Sequence, residues 1–197
     1  MYKKSDIRKI RTKSFIKKAF LKLLEEKTYC KITVADITQE ALINRNTFYL
    51  HYLDKKDLLQ KISSECLIKI NDCMETSKEI FKIKGFGYDH LYNIINTIFK
   101  IIDKDSDFYK VILTNKSIPY YSSEFRNLVK KSIHTGLNFH NKITAENSEI
   151  YSEYMTAGFI SVVKYWLNTD KKYSVDEISR LVIDLYSNDI LKLTKKI

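Results

Sequence analysis

Residues 33–57 read TVADITQEALINRNTFYLHYLDKKD, and this run decides the fold. Thr33 followed three residues later by Asp36 is a capping box, in which each side chain satisfies the other residue's backbone N–H. The pair predicts a helix from Val34 to about Ala41, with Ile37 and Ala41 at i, i+4 as its apolar stripe. Asn44 is the next N-cap and opens a second helix over Arg45–Tyr52. Asp54 with Asp57 makes another capping box and launches a third helix at Lys55. Two helices joined by a turn of about three residues form a helix-turn-helix, whose second helix can lie in the DNA major groove.

Within Arg45–Tyr52 the angular positions follow from roughly 100° per residue. Phe48 and Tyr52 fall together and are assigned to the core. Asn46, Thr47 and Leu50 take the opposite side, with Tyr49 and His51 on the flanks and Arg45 projecting past the helix end. A merely solvated face favours Lys and Glu. Short polar groups with an apolar tip suit base edges, and a flanking hydroxyl and imidazole suit phosphates. By geometry Arg45 matches guanine O6 and N7, and Asn46 or Thr47 an adjacent edge. Leu50 either meets a thymine C5-methyl group or packs beside the next helix. A structural helical hairpin with a chance polar face is the alternative on the residues alone.

The run Ile37–Leu58, with NRNTFYLHY at 44–52 and DKKDLL at 54–59, resembles the DNA-binding domain of the TetR/AcrR family of transcriptional regulators. The T-F-Y-x-H-[FY]-x-[DNS]-K core is long and specific, and the resemblance covers residues 8–65. Residues 158–167, GFISVVKYWL, look like the C-terminal domain of the type common in Firmicutes members. The resemblance implies an all-α protein, with a three-helix helix-turn-helix DNA-binding head at 1–54. A long helix then joins the head to a helical ligand-binding and dimerisation domain at 55–197. Together with the helix N-termini at Val34 and Lys55, which favour anions, it gives the DNA-binding set: Thr33, Arg45, Asn46, Thr47, Tyr49, Leu50, His51 and Lys55. Of these, Thr33, Tyr49, His51 and Lys55 are expected on phosphates. One departure stands out. Where the family usually has Gly in the turn, this chain has Leu42, which requires a left-handed backbone at a cost of about 1 kcal/mol.

Composition agrees with a helical polyanion binder. In 197 residues there are four glycines and one proline, too few for an all-β fold with many turns. The net charge is +10, and residues 1–60 hold 14 Lys and Arg against 7 Asp and Glu. The basic end thus coincides with the helix-turn-helix. Three cysteines, Cys30, Cys66 and Cys73, show no metal-ligand spacing and read as reduced thiols of a cytoplasmic protein. No secretory signal and no apolar stretch of membrane-spanning length is expected.

Along the chain, Lys3 and Lys4 mark a basic arm. Asp6 to about Lys27 then patterns as a helix with Ile16, Ala19, Phe20, Leu23 and Leu24 on one face. That face reads as core, and a helix lying on an anionic membrane is the alternative. Lys55 to about Lys82 is a long helix with Leu58, Leu59, Ile62, Cys66, Ile70 and Cys73 at helical spacing. Gly85-Phe86-Gly87 marks a break. Helices follow at Tyr88–Asp103, carrying Leu91, Ile94, Ile95, Ile98, Phe99 and Ile102, and at Asp107–Leu113. Another, capped by Ser122 or Ser123, runs to about Asn141. The last two are Asn147–Leu167 and, after a Ser174/Glu177 capping box, a helix to about Leu193 that includes Leu191.

Small residues Ala157, Gly158 and Ser161 let a second helix approach closely, either within one chain or across a homodimer. The family precedent of a four-helix interface adds Ile178, Leu181 and Leu185 to the dimer set. For a ligand pocket the candidates are Phe99, Phe108, Tyr109, Tyr121, Phe125, Tyr154 and Trp166, although each taken singly reads first as core. His51, His90, His134 and His140 form no metal-ligand spacing, and no catalytic motif stands out, so no cofactor, metal or enzymatic activity is expected. The expected function is a DNA-binding repressor on a palindromic double-stranded operator, released by a small-molecule effector of unidentified chemistry. The alternative is a coactivator or adaptor acting through a protein partner. No membrane association is expected.

Overall fold

Capping chemistry sets the helix boundaries. The computed structural model describes residues 4–84, 87–138 and 144–195. Among these residues there are nine α-helices and one 3₁₀ turn, and no strand. The order is α1 (Lys4–Glu26), the 3₁₀ turn (Tyr29–Lys31), α2 (Val34–Glu40), α3 (Arg45–Tyr49) and α4 (Lys55–Lys84). Then come α5 (Tyr88–Lys104), α6 (Ser106–Thr114), α7 (Pro119–Asn138), α8 (Ala145–Asn168) and α9 (Val175–Lys195). The protein is all-α, as the sequence implies.

Both halves of the first capping box are made. Asp36 N donates to Thr33 Oγ1 at 3.1 Å, and Thr33 N donates to Asp36 Oδ2 at 2.8 Å. Asn44 Oδ1 accepts from Asn46 N at 2.9 Å to open α3. That helix stops at Tyr49, three residues before the expected Tyr52. A bond from Tyr52 N to Phe48 O at 3.0 Å nevertheless keeps both rings on one side. At α4, Asp57 N donates to Asp54 Oδ1 at 2.7 Å, while the Asp57 carboxylate accepts from Leu53 N rather than from Asp54 N.

Three starts differ from expectation by two residues or more, the first being α1, which begins at Lys4, inside the expected basic arm, rather than at Asp6. α7 begins at Pro119 instead of after Ser122 or Ser123, because proline's fixed φ and missing N–H suit the first helical position. α8 begins at Ala145, where Thr144 Oγ1 accepts from Asn147 N at 3.3 Å. The Ser174/Glu177 box closes as predicted, with Ser174 N donating to Glu177 Oε2 at 2.8 Å. Lys3, Gly85, Phe86, His140 and Asn141 lie outside the described residues, as do the side chains of Lys4 and Leu191.

The chain forms two compact units, Met1–Cys66 with Asp107–Tyr121, and Leu67–Ser106 with Ser122–Ile197. This is not the 54/55 division read from the sequence. α4 runs on without a break from Lys55, and its first turns bury Leu58, Leu59 and Ile62. In the first unit the predicted face of α1 (Ile16, Ala19, Phe20, Leu23, Leu24) is buried along with Ile37, Phe48 and Tyr52. That is the core reading of α1. The later segment is tied in by side chains far apart in sequence. Asn115 Nδ2 donates to Leu24 O at 2.6 Å, Tyr29 N donates to Ser117 Oγ at 2.9 Å, and Tyr109 OH donates to Cys66 O at 2.9 Å.

In the second unit α9 packs on α5 and on α8. Phe99, fully buried, stacks edge-on against Phe159 and Trp166 at 5.7 and 5.3 Å. Burying such a ring is worth about 1.5–3 kcal/mol. Trp166 Nε1 donates to Tyr173 O at 2.7 Å, which satisfies the indole inside the core.

Candidate nucleic-acid interface and cavity

The outer face of the helix-turn-helix is built on two aromatic anchors. Phe48 is fully buried and Tyr52 nearly so, with ring centroids 5.6 Å apart. Burial pushes the Tyr52 phenol up to about 12. With that side fixed, Arg45, Asn46, Tyr49 and Leu50 are exposed, and Thr47 and His51 are half-buried. Leu50 is 80% exposed, so packing against its own chain does not explain an outward leucine there. Leu42 adopts φ 53°, the left-handed backbone that the missing glycine requires, and is itself exposed.

Cations flank this face. The His51 imidazole is held below its ordinary value, first by burial and then by Lys13 and Lys9. These two lysines of α1 sit close enough to act on His51, two residues past the end of α3, and the sequence-derived set missed them. Their spacing of four, one helical turn, places them on one side of α1, but Lys13/Lys17 and Lys18/Lys22 share that spacing, so the sequence alone does not single them out. A groove lined by Arg8, Arg11, Phe15, Leu42 and Asn44 continues the basic surface along α1.

Two members of the expected phosphate set are engaged inside the head. Lys55 Nζ donates to three carbonyls, Tyr29 O at 2.9 Å, Cys30 O at 3.2 Å and Ile32 O at 2.6 Å, and lies 4.6 Å from the Tyr29 ring centroid. Its charge fastens the 3₁₀ turn to the start of α4, so a phosphate would have to displace these bonds. Thr33 is exposed, and its hydroxyl donates to Asp36 Oδ2 at 2.7 Å. That hydrogen bond, together with the one from the Thr33 N–H, holds the Asp36 carboxyl down at about 2.

The pocket aromatics are not gathered into one site. Phe99, Phe125 and Trp166 are close-packed core, while Phe108 and Tyr109 are core of the first unit. Tyr121 is half-buried and belongs to the first unit, and Tyr154 is 64% exposed. Flat rings fill dense cores through edge-on pairs and leave little space beside them. A cavity of about 120 Å³ does open in the second unit, but its lining is chiefly aliphatic and includes none of the seven. Leu91, Ile94, Ile95 and Ile98 of α5 line it with Val129, Ile133 and Leu137 of α7, and Met155, Phe159 and Ile183 complete the apolar wall.

On α8, Ala157, Gly158 and Ser161 are exposed together with Ile150, Tyr154 and Tyr165, and Leu181 and Leu185 of α9 are exposed as well. A Cβ added at Gly158 meets nothing within 4 Å, so packing inside this chain does not require glycine there. Ile178 is the exception in the expected dimer set. It is 3% exposed and belongs to the core of its own chain. Among the described residues no cluster of His, Cys, Asp or Glu could hold a metal ion, and no helix is long and apolar enough to cross a membrane.

A capped helix-turn-helix with a basic flank and an outward base-sized face, carried by a chain with a separate helical unit, defines a helix-turn-helix transcriptional regulator. The TetR-type family described as transcriptional regulator C-terminal region matches residues 89–188. The chain belongs to the TetR family of transcriptional regulators. It is 27% identical over 184 residues to the HTH-type regulator YxbF of Bacillus subtilis, covering 90% of this chain and 45% of that protein. It is 28% identical over 124 residues to the dhaKLM operon activator DhaS of Lactococcus lactis, covering 62% of this chain and 60% of that one. The chain thus spans about half the length of these curated relatives. A TetR regulator structure from Streptococcus agalactiae matches at 25% identity and a TM-score of 0.54, over 92% of this chain and 96% of that one.

Proposed function

We propose that the protein is a dimeric repressor that reads a palindromic operator with α3 and is released when a small molecule enters the second unit. The observation that carries this is the α3 face, where Arg45, Asn46, Tyr49 and Leu50 stand exposed on the buried Phe48–Tyr52 anchor. Arg45, Asn46, Thr47 and Leu50 take base edges, and the exposure of Leu50 favours a thymine methyl group as its partner. Tyr49, His51 and the start of α2 at Thr33 face phosphates, helped by Lys9 and Lys13. Lys55 acts mainly by holding the 29–32 turn. Functionally the head is residues 1–54 and the regulatory part 55–197.

Dimerisation uses the outward faces of α8 and α9 around Ala157, Gly158, Ser161, Leu181 and Leu185, without Ile178. Two α3 helices then meet half-sites about one helical turn apart, or a multiple of it. The effector site is the aliphatic cavity, and the protein works where its DNA lies, in the cytoplasm.

Footprinting on the DNA beside the protein's own gene tests the proposal. Two symmetric protected half-sites are expected, and a compound screen should then find molecules that lift the protection. Absence of protection by folded, dimeric protein at micromolar concentration contradicts it. One observation favours a second reading, that of an activator working through a partner: the similar DhaS is named an activator. Transcription that rises with added protein on the footprinted promoter separates the two.

A further inference from the structure

The wall of the second unit's cavity restricts what can occupy it. Besides its aliphatic lining, four of the described lining side chains carry polar groups, and each of these has a partner within the unit. Ser77 Oγ donates to Cys73 O at 2.7 Å, Ser132 Oγ to Met74 Sδ at 2.6 Å, and Tyr186 OH to Met155 O at 2.7 Å. Lys78 Nζ is paired with Glu75 Oε1 at 2.5 Å. The hydroxyl protons are therefore committed, one per side chain. Lys78 is already engaged by Glu75, so an entering carboxylate or phosphate would lose its own hydration and also have to displace that partner. Burial also pushes the Tyr186 phenol up, which keeps its proton in place. The volume is about 120 Å³. For scale, an apolar cavity of about 150 Å³ engineered in another protein stays dry and binds benzene or xenon.

We infer that this cavity binds one small, neutral hydrocarbon-like molecule of about benzene size, and that it rejects carboxylates and phosphate esters. The inference rests on taking the second unit as the regulatory part, but ligand class and DNA release are separately measurable. Full-length protein is titrated with benzene, cyclohexane and hexanoate, followed by thermal melting and methyl NMR shifts. The two hydrocarbons should raise the melting temperature with concentration and move the methyl signals of Ile94, Ile98 and Leu137. Hexanoate should bind about tenfold more weakly or less. Ile94→Phe, which fills the space, should remove hydrocarbon binding, and Lys78→Gln should leave it within about twofold.

Should Ile94→Phe fail to fold, xenon binding to the wild type at the same methyl groups takes its place. Two results overturn the inference: hexanoate binding as tightly as benzene with loss of that binding in Lys78→Gln, or no hydrocarbon or xenon binding up to solubility. If hydrocarbon binds yet leaves operator affinity unchanged, the ligand class stands and the regulatory role fails. If hexanoate rather than hydrocarbon releases the operator, the role stands and the ligand class fails.

Discussion

The head and the second unit dispose their polar side chains in opposite ways. On α3, Arg45, Asn46 and Tyr49 stand in solvent around an outward Leu50, over a buried aromatic base. In the cavity wall Ser77, Ser132 and Tyr186 turn their protons back onto the protein. A surface made for a polyanion must keep its donors available, because phosphates and base edges are recognised by hydrogen bonds and charge. A cavity for an apolar guest must do the reverse, since an orphaned donor there costs about 1–3 kcal/mol. On the proposed reading the two regions answer to partners of opposite chemistry.

The largest effect is expected on the outward face of α8. Gly158→Glu places a charge where a Cβ meets nothing in its own chain. The fold should survive while the dimer dissociates in light scattering. Operator affinity should then fall about a hundredfold, as linked half-site binding is lost. A variant that stays dimeric would remove α8 from the interface.

Lys55→Ala comes next and separates positioning from phosphate binding within the head. Loss of three charge-assisted bonds to carbonyls should destabilise the protein by about 2 kcal/mol in urea unfolding. The salt slope of DNA binding should change little. Unchanged stability with a slope lower by about one would instead make Lys55 a phosphate ligand.

Leu42→Gly works in the other direction. It relieves the left-handed leucine at φ 53° and should stabilise the head by up to about 1 kcal/mol. A loss of stability would mean that the exposed Leu42 side chain makes a stabilising contact.

The smallest effect is at acid pH. The Asp36 carboxyl is held at about 2 by the hydrogen bonds from Thr33. A depressed carboxyl contributes stability that is fully present above its unfolded value near 3.8 and is lost as pH falls through about 2. Asp36→Asn should therefore flatten the acid limb of a stability profile between those values. It should leave the neutral limb parallel to the wild type.

The head was legible because its information is local. Capping pairs three residues apart mark the starts of α2, α4 and α9, and the angular position of Phe48 against Leu50 follows from helix geometry alone. The turn leucine was legible too, since only backbone sterics are involved. What lay hidden depends on contacts between distant residues. Asn115 and Ser117 reach Leu24 and Tyr29 across about ninety positions of chain, and no local pattern announces that. Aromatic residues looked like pocket walls, yet rings such as Phe99 and Trp166 pack against each other, and the cavity opens among aliphatic side chains. Ile178 and Leu181 are three residues apart on α9, but one is core and the other is exposed. Their helical spacing is compatible with either arrangement.

The central claim is that the outward face of α3 reads bases. The most direct measurement compares wild type with the triple variant Arg45→Ala, Asn46→Ala, Leu50→Ala on the footprinted operator and on random duplex, at fixed salt. All three side chains are exposed, so the melting temperature should stay near that of the wild type. The ratio of specific to non-specific affinity should collapse by about a hundredfold or more. A variant that keeps this ratio while its affinity falls evenly on both duplexes would contradict base reading by α3.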